Sequence, residues 1–338
     1  FRSIECIMRV FPNGTGILLG LLICFAGAWF FPGGAEWADS LLPVSKSSIL
    51  VVVIFLIQGW NVRFDVIASV FRGFPNLFVV LGGIFLSPLV FTLTLQYFAF
   101  FHLDWREGFI FLAILPTTIS TCVVYTSMAD GDSESALGYA ALSNLIAIIW
   151  VPFAWSILVI ESGSSVTGQW VTAGRVMLPP MFGLVLFPCF LGWLAKKIFL
   201  RLGENRHRKM LNRISFLCIL LLAYMALAKS ISQLGTSEFI QLLYQLFPYL
   251  LVFLVFHISV SWIISSFLSS DRKLKVAGFY CISQKSLAMG LPMATLLPVN
   301  DVKVELFLVC PLIFYHFLQL FVGASFIPAL RKWVELRS

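Results

Sequence analysis

Residues 276–300 read VAGFYCISQKSLAMGLPMATLLPVN. The stretch is long enough to cross a bilayer, which takes about 20 mostly apolar residues. It carries one charge, Lys285, near its middle. Ser283, Gln284 and Ser286 flank that lysine, and Gly290 and Pro292 follow. A proline lacks the N–H that a helix interior needs and clashes with the preceding turn. Non-helical backbone at membrane depth is tolerated only inside protein or beside a water-filled cavity. The stretch therefore predicts a spanning helix broken at its centre, within a protein of several spans.

Composition supports that class. Of 338 residues, 59% are hydrophobic and 12% charged, with a mean hydropathy of +0.94. A soluble domain carries about 25% charged residues, so a soluble fold and a disordered chain are both excluded. The formal net charge is +7. The basic residues do not form one face, so nucleic acid is not an expected partner. The seven cysteines (Cys6, Cys24, Cys122, Cys189, Cys218, Cys281 and Cys310) contain no close-spaced pair and form neither a disulfide framework nor a zinc motif. The first apolar run is long enough to span and is read as a helix rather than a cleavable leader.

Seven further stretches lack Asp, Glu, Lys and Arg over a spanning length: 14–35, 73–103, 108–129, 135–160, 176–195, 239–270 and 306–330. Residues 47–62 and 214–228 are shorter candidates, which brings the expected number of spans to ten. Alternating through ten spans places 17 Lys/Arg on the side of the N-terminus and 5 on the other, with Lys285 inside a span. Cytoplasmic loops are enriched in Lys and Arg, so both termini are expected in the cytoplasm of a plasma or inner membrane. The basic loop 196–213 (KKIFLRLGENRHRKMLNR) is read as a topology anchor beside anionic lipid.

A second broken helix is predicted in the fourth span, at PTTISTC, 116–122. Pro116 interrupts the helix, and the hydroxyls of Thr117, Thr118, Ser120 and Thr121 compete for backbone partners. Its centre near Thr118 and that of the ninth span at Lys285 lie 167 residues apart, close to half the chain. The polar segment 161–175 (ESGSSVTGQWVTAGR) divides five spans from five. An odd number of spans makes the second half enter from the opposite side, which predicts two inverted five-helix repeats. Paired broken helices in such repeats mark transport sites: half-helix N-termini attract anions and freed carbonyls hold cations.

The candidate site at the crossing comprises Thr117, Thr118, Ser120, Thr121, Cys122, Ser143, Asn144, Ser283, Gln284, Lys285 and Ser286. None of the sixteen acidic residues lies in the middle of a span, where a coupling ion often finds its carboxylate. Lys285 is the exception to a charge-free interior, and four readings of it stand. It can occupy the place of a coupling cation, pair with an anionic substrate, exchange a proton, or serve structurally by snorkelling or by bonding freed carbonyls. His257 and His316, also within spans, are read as hydrogen-bonded packing residues rather than proton shuttles. Asp130, Asp132 and Glu134 are read as a solvated turn capping the fifth span, not a calcium loop. Trp29, Trp37, Trp105, Trp170 and Trp333 are expected at the membrane interfaces.

At PTTISTCVVYTSMADGDSESALGYAALSNLIAIIWVPF (116–153) and FYCISQKSLAMGLPMA (279–294) the chain resembles the bile acid:sodium symporter family, in its sodium/bile acid cotransporter 7-like branch. The resemblance implies an all-α membrane protein of ten helices in two inverted repeats. Panel helices 1–2 would occupy 1–72 and core helices 3–5 residues 73–160. The linker and panel helices 6–7 would occupy 161–234, and core helices 8–10 residues 235–338. Helices 4 and 9 would be broken and cross in the core. It also implies secondary transport of an organic anion.

The sodium ligands of that family are largely replaced here. Cys122 stands for an Asn and Thr121 for a Ser. Phe279 and Ser283 stand for a Glu and a Gln, Gly83 for a Gln, and Asn144 for a Thr. A residual sodium site could survive at Thr121, Asn144 and Ser283, so coupling to Na+ or H+ stays open. No organic cofactor is expected, and the partners are the lipid bilayer and a small organic anion, with the oligomeric state open. No nucleotide-binding loop suggests a pump. The alternatives are a channel or scaffold of the same fold, and an intramembrane hydrolase using Ser283 or Ser286 with Lys285.

Overall fold

The computed structural model describes residues 14–34, 46–98, 105–159, 178–199, 204–269, 271–297 and 302–336, and every regular element among them is a helix. The helices are α1 (Gly14–Phe30), α2 (Lys46–Asn61), α3 (Phe64–Val70), α4 (Phe74–Tyr97), α5 (Arg106–Ile114), α6 (Ile119–Met128) and α7 (Ser133–Leu158). After the polar segment 161–175, which lies outside the described residues, follow α8 (Phe187–Phe199), α9 (Glu204–Leu234) and α10 (Thr236–Ser266). The chain then runs through α11 (Arg272–Ser283), α12 (Leu287–Ala294), α13 (Val302–Ser325) and α14 (Ile327–Glu335).

Five helical segments are long and apolar enough to cross a membrane: 64–97, 133–158, 210–234, 236–266 and 305–335. The α5–α6 pair makes a sixth, bent by 62° at its break. The ten spans expected from sequence also count the shorter helices α1, α2 and α8 and the interrupted pair α11–α12.

Polarity is distributed inside out. Ile23, Phe78, Val90, Ile149, Leu217 and Val255 are exposed, whereas Asn144, His257, Gln284, Lys285, His316 and Gln319 are buried. A water-soluble protein does the reverse. Apolar exteriors with polar groups turned inward are what a bilayer requires.

The helices pack in two sets. In the first, α8 lies on α2 and α9 lies on both α1 and α2. Gly59 and Gly192 let α2 and α8 touch backbone to backbone: a Cβ at Gly59 would lie 1.8 Å from the Cys189 carbonyl oxygen, and one at Gly192 1.9 Å from that of Leu56. The second set contains α4, α5, α6, α7, α10, α11 and α13. The sets meet where α9 packs against α12 and α13, and where α2 meets α12.

The acidic turn acts as expected. Asp132 Oδ1 accepts from the Ser135 N–H at 3.0 Å and caps α7, and Glu134 sits in the first turn, where negative charge favours the helix dipole. Trp105 is not an interfacial anchor. It is 1% exposed and meets Phe307 edge-on at 4.6 Å, because the α5 N-terminus is covered by α13. Trp333 stacks on Arg272, whose guanidinium carbon lies 4.7 Å from the ring centroid. Trp37 and Trp170 lie outside the described residues.

Candidate functional site

Both predicted breaks are present. The α5 helix ends at Ile114 and α6 begins at Ile119; α11 ends at Ser283 and α12 begins at Leu287. The breaks touch through the main chain, as the Ser286 N–H donates to the Pro116 carbonyl at 2.9 Å.

Lys285 lies in the second break with 0% exposure. Its ammonium donates to the carbonyls of Ile84 at 2.7 Å, Ala113 at 2.8 Å and Leu115 at 2.8 Å. Each carbonyl is available for a local reason. Ile84 lies in α4, and Pro88, four residues on, has no N–H to offer it. Ala113 and Leu115 close α5, where the last carbonyls have no intrahelical donor. That terminus is also the negative end of the helix dipole. An ammonium has three N–H donors and no acceptor, so three acceptors satisfy it in its charged form.

Carboxamides from the long helices support both breaks. Asn144 of α7 donates through Nδ2 to the Thr117 carbonyl at 2.9 Å and to the Ala140 carbonyl at 2.7 Å. Gln319 of α13 accepts from the Lys285 N–H at 2.7 Å and donates to the Lys285 carbonyl at 2.8 Å. Across the crossing, Thr121 Oγ1 donates to Gln284 Oε1 at 2.5 Å. Tyr315 of α13 donates to the Ser283 carbonyl at 3.2 Å, and its hydroxyl lies 2.7 Å from His257 Nδ1. Among the described residues of this network, Thr117 Oγ1, Gln284 Nε2 and His257 Nε2 are buried without a hydrogen-bond partner. Thr117 immediately precedes α6, whose N-cap Thr118 makes no side-chain cap, whereas Gln284 Nε2 lies toward Gly323 of α13, 3.4 Å from where a Cβ there would stand.

The crossing thus brings together Thr117, Thr118, Thr121, Asn144, Gln284, Lys285 and Ser286. Ser286 caps α12 by accepting from the Met289 N–H at 3.2 Å. Ser143 and Cys122 donate locally, to Ala140 at 2.9 Å and Ile119 at 3.6 Å, and the buried Cys122 thiol also meets Cys281 of α11. Ser120 is exposed, and its hydroxyl is 3.5 Å from that of Thr118. Thr121, Asn144 and Ser283, the expected remnant of a sodium site, are not bonded to one another. Asn144 Nδ2 donates to the Thr117 carbonyl, and the Ser283 carbonyl accepts from Tyr315. At Gly83, a Cβ would lie 2.7 Å from Ile282 Cδ1, so the space for a longer side chain there is filled.

A sequence profile for a single family matches residues 15–332. The chain belongs to the SBF-like CPA transporter family. Sodium/bile acid cotransporter 7 of Danio rerio is 23% identical over 332 residues, covering 95% of this chain and 94% of that protein. Sodium/bile acid cotransporter 7-A of Xenopus laevis is 22% identical over 335 residues, covering 95% and 92%. YfeH of Escherichia coli is 24% identical over 353 residues, covering 97% and 96%. The resemblance read from the two broken-helix motifs therefore extends along the chain, which is a multi-pass membrane protein of a transporter family.

Three parts of the crossing are not among the residues expected from sequence. Gln319 left a usable trace, an amide in the middle of a span on the same helical face as His316. Tyr315 left none, since a tyrosine in an aromatic-rich span is unremarkable. The Ile84 carbonyl was signalled only by Pro88.

Proposed function

We propose that this protein is a secondary transporter of a small organic anion, with Lys285 permanently occupying the place of a coupling cation. The carrying observation is the ammonium enclosed by three carbonyls. It unites the resident-cation reading with the structural one, since bonding the freed carbonyls is how the charge is held. It disfavours direct pairing with substrate, because all three donors are used. The anion would bind instead at the N-terminus of α6, which Thr118 leaves without a side-chain cap, where Thr117 Oγ1 is unpartnered and the dipole favours negative charge. The names of the relatives support bile acids as the first organic anions to try.

Uptake into proteoliposomes tests this reading. Expected is saturable uptake of one or more acids from a panel that includes a bile acid, equal in sodium and in choline medium. Sodium-dependent uptake would remove Lys285 as resident cation. Non-saturating flux would make the protein a channel, and a chemically altered compound would make it an enzyme.

The proposed cycle is alternating access, with α1, α2, α8 and α9 as panel, the remaining long helices as core, and two inverted five-helix repeats. Both termini lie in the cytoplasm of a plasma or inner membrane. The sets meet around α12 and the start of α13, on the side the positive charges assign to the exterior. There Lys229 of α9 pairs with Glu305 of α13 at 2.7 Å. These side chains are 39% and 28% exposed, so the pair contributes at most about 1 kcal/mol. It acts as a weak latch that closes the outer side. Lys229→Glu and Glu305→Lys are each expected to slow or unbalance transport, and the exchanged pair to restore it. A disulfide between Lys229→Cys and Glu305→Cys should block uptake until reduced. Continued transport in the oxidised protein would show that this contact does not open.

A further inference from the structure

Gln319 is buried in the middle of α13, and its carboxamide serves one residue of another element. Its Oε1 accepts from the Lys285 N–H at 2.7 Å, and its Nε2 donates to the Lys285 carbonyl at 2.8 Å. Both main-chain groups lie in the break between α11 and α12, where a continuous helix would have satisfied them. A carboxamide has one accepting oxygen and a nitrogen with two hydrogens. The Lys285 main chain therefore dictates which way the amide faces.

The second Nε2 hydrogen points at His316 Nδ1, 2.6 Å away. With the carboxamide turned this way, Nδ1 accepts in the tautomer that carries its proton on Nε2, and the His316 ring is itself hydrogen-bonded to the Lys285 main chain. A carboxamide turned over would set its oxygen against the Lys285 carbonyl and against the His316 lone pair. His316 thus opposes rotation of Gln319. The neighbouring titratable groups are engaged elsewhere. Tyr125 of α6 and Tyr280 of α11 donate to the carbonyls of Leu320 at 3.0 Å and Gly323 at 3.2 Å. His257 of α10 is bonded to Tyr315.

We infer that Gln319 is a positioning residue, which holds the Lys285 main chain in the break so that its ammonium reaches the three-carbonyl cage. His316 fixes the carboxamide in the orientation this needs. The inference rests on Lys285 as the resident cation but concerns how that cation is kept in place. Three residues of non-helical chain have many conformations. The side chains of Gln284 and Ser286 are held by Thr121 and the Met289 N–H, and the Ser286 N–H by Pro116; at Lys285 itself the Gln319 pair engages both main-chain groups.

The test is the reactivity of Lys285 in purified full-length protein toward N-hydroxysuccinimidyl acetate, read by peptide mass spectrometry against the exposed Lys332. Wild-type Lys285 is expected to be protected. Gln319→Met keeps the length and loses both hydrogen bonds. It should raise the Lys285/Lys332 ratio roughly thirtyfold, the factor that two neutral hydrogen bonds carry. Gln319→Glu supplies a distinctive signature. Its ionised carboxylate has no hydrogen for the Lys285 carbonyl, whereas the protonated acid has one. The ratio in this variant should fall back toward wild type on acidification from about pH 8 to about pH 5, across which a buried carboxyl titrates. Wild type should show no such change.

A folded Gln319→Met protein with Lys285 still protected would overturn the inference, as would a Gln319→Glu ratio indifferent to pH. If the methionine variant does not fold, Gln319→Asn, one methylene too short to make both bonds, gives the same reading. Sodium-independent uptake tests Lys285 and the labelling ratio tests Gln319, so either can fail alone.

Discussion

Lys285→Ala is expected to lose at least about nine-tenths of transport and to melt well below wild type. The change leaves the carbonyls of Ile84, Ala113 and Leu115 buried without the donor they now share. An unsatisfied buried acceptor costs about 1–3 kcal/mol, so the three together are a large share of the 5–15 kcal/mol that typically holds a protein folded. The vacated space has the shape of the removed propylammonium. Adding n-propylammonium, or a small metal cation such as sodium, should raise the melting temperature of Lys285→Ala and recover part of its uptake. Lys285→Met fills the space without the charge and should resist rescue. Unchanged melting and transport in Lys285→Ala would show that the ammonium contributes nothing to the crossing.

The second large effect is expected far from any charge. Gly59→Ala and Gly192→Ala should each abolish or sharply reduce recovery of folded protein. A methyl at either position collides with a backbone carbonyl oxygen, 1.8 Å away at Gly59 and 1.9 Å at Gly192. Neither obstacle is a flexible side chain, so α2 and α8 would have to separate. Helices in a bilayer associate largely through close packing, with small residues at the contact. Spreading this one therefore undoes most of what joins the pair. Gly33→Ala, where nothing lies within 4 Å of an added Cβ, is the control and should be recovered like wild type. Normal yield and melting of Gly192→Ala would show that the two helices tolerate a wider spacing.

The breaks were legible in sequence because their causes are local. Pro116 with a run of hydroxyl residues, and Ser-Gln-Lys-Ser ahead of Gly290 and Pro292, interrupt helices wherever they occur. Lys285 was legible as the central residue because a lone charge in an apolar run stands out against its neighbours. Its surroundings were not. The cage draws one carbonyl from α4, some 200 residues away in the chain, and carbonyls carry no residue identity. Gln319 was passed over for a related reason: a neutral amide in a span looks like packing until the main chain it grips is known. Ser120 and Ser143 show in sequence only their polarity and their nearness to the breaks. Helical geometry turns the first outward and lets the second bond its own preceding turn. The expected interfacial role of Trp105 failed because α13, remote in sequence, covers the start of α5.

The resident cation proposed for this carrier has an electrical consequence. A carrier that keeps its cation holds one positive charge when empty and none when loaded with a monovalent anion. Membrane voltage then acts on the return of the empty carrier. An elementary charge crossing the full field is worth about 2.3 kcal/mol per 100 mV. With the cytoplasm negative, the empty site is drawn inward, which opposes net accumulation of the anion and favours its release from the cell. Exchange of one anion for another moves no net charge and should proceed at any voltage.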